Sequence, residues 1–162
     1  MARTVTKTPP RLPLFDRLLQ GDSIETDRSV EAAMRELRDS VRRDLEILFN
    51  TRPRHLPLNP ELEELQRSVL AFGLSEVQGR QLSTPAQQQQ FQRQIETIIR
   101  HFEPRFQDLA VELVPASDPL SRTLHLRIHA RLEADSISEP VTYDTVIDPI
   151  SGNLALANRS MP

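Results

Sequence analysis

Apolar positions recur every three or four residues up to Phe102, and every second residue beyond Pro104. In the first half, Val30, Met34, Leu37, Val41, Leu45 and Leu48 form one stripe. This spacing predicts a helix over residues 29–50, capped by Ser29 or Asp27 and ended by Asn50-Thr51-Arg52-Pro53. Arg35, Glu36, Arg38, Asp39, Arg42, Arg43 and Glu46 fall largely off the stripe and read as a solvated face. Asn59-Pro60 then resembles an N-cap and first helical residue, with Leu62, Leu65, Val69 and Phe72 as a second stripe and Gly73 as its stop. Thr84-Pro85-Ala86-Gln87 is a capping box that opens a third helix. Its buried stripe is Phe91, Ile95, Ile98, Ile99 and Phe102. Glu96 and Arg100 are spaced to pair along it, and Arg100 and His101 suit the negative end of the helix dipole.

Pro104 is the pivot. Proline has no N–H and pushes the residue before it out of helical geometry, so Glu103 is expected outside the helix and Arg105 at the start of the first strand. Leu109, Val111 and Leu113 alternate along that strand. The second is the strongest: Leu124, Leu126, Ile128, Ala130 and Leu132 share one face, and His125, Arg127, His129, Arg131 and Glu133 the other. A third is expected over 141–147, a turn over 148–153, and a short last strand starting at Leu154 and Leu156. Helices followed by closely connected strands predict an α+β fold, with the N-terminal helices packed on one face of a C-terminal antiparallel sheet. Residues 29–157 form the expected single domain, and 158–162 a flexible tail. Residues 1–28 form an N-terminal arm, in which Leu12, Leu14, Phe15, Leu18 and Leu19 read either as a short docking segment or as a disordered tail with a sticky end. Pro9, Pro10 and Pro13 argue against regular helix there.

Charge and composition narrow the picture. A net charge of −3 points to neither nucleic acid nor an anionic membrane. The chain has no cysteine, hence no disulfide and no thiolate chemistry. No apolar run approaches a membrane span, and the N-terminus has no apolar core behind its charges, so a cytoplasmic protein without membrane insertion is expected.

Candidate chemistry is sparse. His125 and His129 share a strand face, but Arg127 stands between them and argues against a metal ion. No glycine-rich phosphate loop occurs, and nothing calls for a cofactor. With 23 acidic residues, some carboxylate pair at glycosidase spacing is expected by chance, and none is distinguished. Glu103 and Arg105 flank one rigid residue at the junction of the two halves. They read either as an internal ion pair that pins the corner or as a partner contact. As a solvent-accessible partner contact the pair contributes only about 0 to 1 kcal/mol, so Arg105→Ala leaves the fold nearly intact and costs binding; as an internal pin, Arg105→Ala lowers melting temperature and binding together.

Four segments in order resemble the TssE family, baseplate components of type VI secretion systems related to a lysozyme-like wedge protein of contractile phage tails. Leu14-Phe15-Asp16-Arg17-Leu18-Leu19 is similar to its N-terminal box. Ser40-Val41-Arg42-Arg43-Asp44-Leu45-Glu46-Ile47-Leu48-Phe49-Asn50-Thr51-Arg52 resembles its first helix-ending signature, and Ser68-Val69-Leu70-Ala71-Phe72-Gly73-Leu74 its second. Ile99, Phe102 and Glu103-Pro104-Arg105 resemble the third, a Glu-Pro-Arg motif. Departures occur at Ala71, at Ser75-Glu76 and at Phe106. The resemblance implies a structural role without catalysis. Such a protein joins the wedge proteins TssF, TssG and TssK and starts assembly of the TssB–TssC sheath, with Glu103, Pro104 and Arg105 as the partner-binding element. A free edge of an antiparallel sheet suits that role, because it accepts a foreign strand through main-chain hydrogen bonds. The alternative is a muramidase that cleaves peptidoglycan.

Overall fold

The structure is a computed structural model that describes residues 9–20, 29–53, 58–74, 84–114, 124–135, 137–147 and 154–158. The expected cap Asp27, the turn over 148–153 and residues 159–162 of the expected tail lie outside these. The described elements are α1 (Leu14–Gln20), α2 (Val30–Asn50), α3 (Glu63–Gln66), α4 (Pro85–Phe102), β1 (Phe106–Val114), β2 (Leu124–Ala134), β3 (Ile137–Ile147) and β4 (Leu154–Asn158).

The fold is α+β, with the strands in the order β1-β2-β3-β4 and every neighbouring pair antiparallel. Leu126, Ile128, Ala130 and Leu132 of β2 and Val141, Tyr143, Thr145 and Ile147 of β3 are buried on one sheet face. The stripes of α2 and α4 close over that face in one apolar cluster, α4 beside β1 and α2 beside β4. Burying each large apolar side chain in it contributes roughly 1.5–3 kcal/mol, as at Phe91, Ile95 and Ile99.

Both long helices carry the caps expected of them. The Ser29 hydroxyl accepts from Ala32 N–H, and Thr84 and Gln87 satisfy each other reciprocally. The expected Glu96–Arg100 pair forms differently: Glu96 accepts from Val111 N–H at 3.2 Å, and Arg100 donates to Leu109 O at 2.8 Å. Both side chains thus tie α4 to β1. The second expected helix shrinks to the single turn α3, because only part of its stripe is covered: Phe72 packs against Phe102 and the core, while the middle of the stripe faces solvent. Val69 is 84% exposed and Leu62 53%. Polar side chains there bind local backbone instead: Asn59 accepts from Glu61 N–H, and the Ser68 hydroxyl donates to Leu65 O. Gly73 terminates no helix. Its φ of 123° and a close approach to Thr51 exclude a side chain, since a Cβ there would stand 2.3 Å from Thr51 O.

The strands differ from expectation in two places. In β1, Phe106 and Leu109 are both buried although their spacing breaks alternation. A bulge between Gln107 and Ala110, with Asp108 at φ 50°, restores the face. β3 starts four residues early and contains Pro140, which lies beyond the residues 143–147 that β4 pairs with.

The arm docks through its polar and extended residues. Leu12 is buried in the core, Arg11 N–H donates to Asp135, and Asp16 accepts from Ser40 and Arg43 of α2. A helix does form behind Pro13, but its Leu14, Phe15, Leu18 and Leu19 are 68–71% exposed.

Candidate functional site

The corner between α4 and β1 is built by the chain's change of direction at Pro104. Glu103 caps α4 and donates its N–H to Ile99 O at 2.7 Å. Pro104 is exposed and bars further helix. Phe106 N–H closes the turn on Glu103 O, and Glu133 N–H of β2 donates to Arg105 O.

The side chain of Glu103 turns inward and is 3% exposed. Its carboxylate accepts from Arg105 Nε and Nη2, each at 2.5 Å, and from Arg105 N–H at 3.3 Å. Arg105 Nη2 also donates to Asp44 Oδ2 of α2 at 2.8 Å. The guanidinium therefore joins a buried carboxylate at the helix end to a half-exposed one on the neighbouring helix. Burial pulls the Arg105 pKa down, but Glu103 and then Asp44 outweigh it and hold the group above the usual arginine value. Beside this trio lies a cleft of about 180 Å³ lined by Leu45, Leu48, Phe72 and Phe102, with Ile47 at its mouth. Tyr143 packs behind: burial and the Glu103 charge push its phenol above the ordinary 10.0, and its hydroxyl donates to Arg38 O.

The structure brings Glu103 and Arg105 together and adds Asp44, which periodicity does not single out. The sequence signal for Asp44 is its place next to Leu45, at the margin of the buried stripe of α2. The pair is solvent-accessible on one side only, because Glu103 lies inside the molecule.

The outer face of the sheet carries the expected alternation of His125, Arg127, His129 and Arg131, but cross-strand partners offset the cations. Arg127 Nε donates to Asp144 at 2.7 Å, and Arg131 Nε to Asp108 at 3.1 Å. His129 sits against Thr142 and lies 3.8 Å from Glu112. Among the described residues no group of three or more His, Cys, Asp or Glu is placed to hold a metal ion. A wider groove of about 620 Å³ runs between α4 and the α3 region, lined among others by Leu70, Gln94, Ile98 and His101, with no carboxylate among the described lining residues.

Residues 35–136 match the family described as baseplate wedge protein gp25. The chain belongs to that family. The matched span runs from α2 through β2, so the Glu103-Pro104-Arg105 corner and Asp44 both lie inside the part that defines membership. No curated protein matches the chain. Among the described residues no helix is long and apolar enough to cross a membrane.

Proposed function

We propose that this protein is a structural subunit of a contractile, phage-tail-like baseplate, and more narrowly the TssE-type subunit of a type VI secretion system. The observation that carries this reading is the family match over residues 35–136. On this reading the protein works in the cytoplasm, joins TssF, TssG and TssK in the wedge, and starts the TssB–TssC sheath through strand pairing at a sheet edge. The antiparallel meander supports the last step, since among the described residues its outer strands β1 and β4 each have one side without a strand neighbour.

The Glu103-Pro104-Arg105 corner is the proposed wedge contact. Exposed Pro104, partly exposed Arg105 and half-exposed Asp44 offer the outer surface, while Glu103 holds the guanidinium from within. A muramidase is the weaker reading. Both carboxylates of the corner cleft bind one guanidinium, which leaves neither free to deliver a proton to a leaving group.

The test is co-purification with TssF, TssG and TssK, together with sheath polymerisation by TssB–TssC with and without the protein. Retention of the wedge proteins and faster sheath initiation are expected. Equal initiation in its absence, or turnover of purified peptidoglycan abolished by one Asp or Glu substitution, overturns the reading.

A further inference from the structure

The two outer strands of the sheet are not bare. At β1, Arg100 donates to Leu109 O and Glu96 accepts from Val111 N–H. At β4, Glu46 Oε1 accepts from Leu156 N–H at 3.1 Å, while Arg42 Nη1 reaches Leu156 O at 3.5 Å and Glu46 Oε1 at 2.7 Å. Each edge is thus covered by one arginine and one glutamate four residues apart on the overlying helix. One side chain supplies the missing donor and the other the missing acceptor. Covering an edge in this way hides main-chain groups that otherwise recruit another strand.

The two covers hold different main-chain groups. At β1 they are the carbonyl of Leu109 and the amide of Val111, which flank Ala110. At β4 both groups belong to Leu156. The β4 cover is also the looser one, with its arginine contact at 3.5 Å against 2.8 Å for Arg100. The β1 edge is further bent by the bulge at Asp108.

We propose that Arg42 and Glu46 form a displaceable plug on the edge of β4, occupying the main-chain positions of Leu156 that an extended segment takes when it joins the sheet there. The inference rests on the proposed sheet-edge role and names the edge and the groups that must move. Arg42 and Glu46 satisfy each other as an i,i+4 pair on α2, so they remain paired after release. The plug then blocks unspecific pairing of the isolated subunit and yields to a partner that offers several main-chain hydrogen bonds in place of two.

The experiment compares wild type, Glu46→Ala and Glu46→Gln in amide hydrogen exchange at Leu156 and in affinity for the purified TssB–TssC pair. In the free protein, Glu46→Ala is expected to speed exchange at Leu156 by about tenfold, the effect of losing one charge-assisted hydrogen bond. Glu46→Gln keeps an acceptor oxygen without its charge and falls between wild type and Glu46→Ala. Glu46→Ala is also expected to bind the sheath pair about tenfold more tightly, because less must be displaced. Unchanged exchange at Leu156 in Glu46→Ala overturns the plug. So does binding equal to or weaker than wild type, which leaves the strand-pairing role standing. If exchange quickens but neither wild type nor Glu46→Ala binds sheath subunits, the functional reading fails and the plug loses its proposed partner.

Discussion

Glu103 and Arg105 meet around Pro104 in a two-pronged contact, Nε and Nη2 each 2.5 Å from a carboxylate oxygen, with only the arginine reaching solvent. This asymmetry decides what each substitution costs. Removing the arginine strands a buried charge. Removing the glutamate leaves Arg105 with Asp44.

Arg105→Ala is therefore expected to destabilise the fold by about 3 kcal/mol, the usual cost of leaving a buried charge without its partner. Thermal unfolding should show a melting temperature lower by roughly 6 to 12 °C. Adding Glu103→Gln should recover part of that loss. An Arg105→Ala protein that melts with wild type refutes the buried-charge account.

Neighbours Phe15 and Asp16 should behave oppositely. Phe15→Ser removes an exposed ring and is expected to change stability by less than about 0.5 kcal/mol. Asp16→Ala takes the acceptor from the buried Ser40 hydroxyl and releases Arg43, at a cost of about 1 to 3 kcal/mol. Denaturant titration of the two variants checks the contrast. A larger loss in Phe15→Ser means that the α1 face is covered in the folded chain.

The buried hydroxyl of Thr145 has no hydrogen-bond partner among the described residues. Thr145→Val exchanges that hydroxyl for a methyl of nearly the same size. It is expected to stabilise by about 1 kcal/mol, read as a melting temperature higher by a few degrees. A lower one means that a water or main-chain group satisfies the hydroxyl.

Tyr143 makes stability depend on alkaline pH. Unfolded tyrosine ionises near 10.0, and in the fold burial and the Glu103 charge hold the phenol above that value. The folded state keeps its proton longer, so this contribution is intact below pH 10.0 and is lost as pH rises through the folded value. With one tyrosine and no tryptophan, tyrosinate absorbance reports this group alone. Absorbance should appear together with loss of helical circular dichroism. Tyrosinate forming near pH 10.0 in a fully folded chain shows that the phenol is not held. Tyr143→Phe should remove the dependence at a neutral-pH cost of about 1 kcal/mol for the bond to Arg38 O.

Much of the scaffold is legible along the chain. The stripes of α2 and α4, both caps and the alternation of β2 are local patterns, because helix and strand periods are set by neighbouring backbone geometry. The proline corner is legible for the same reason: beyond the first turn of a helix, proline removes a backbone donor and ends it. Local pattern misleads at residues 60–72, where an amphipathic spacing covers a surface only at Phe72, leaves Leu62 and Val69 exposed, and yields one helical turn. It misleads again in β1, where a bulge changes which residues face inward.

The contacts at the corner and at the sheet edges belong to the tertiary structure. Asp44 meets Arg105 across 61 positions, and Glu46 meets Leu156 across 110. Periodicity assigns such side chains to the polar side of their element and says nothing of what stands opposite. Burial of Glu103, the partner of Ser40 and the covers on β1 and β4 follow from how α2 and α4 lie on the sheet. Apolar spacing determines which faces are covered, since burial needs no specific partner. Charged and main-chain groups need a partner at hydrogen-bond distance, and only the packed chain sets those distances.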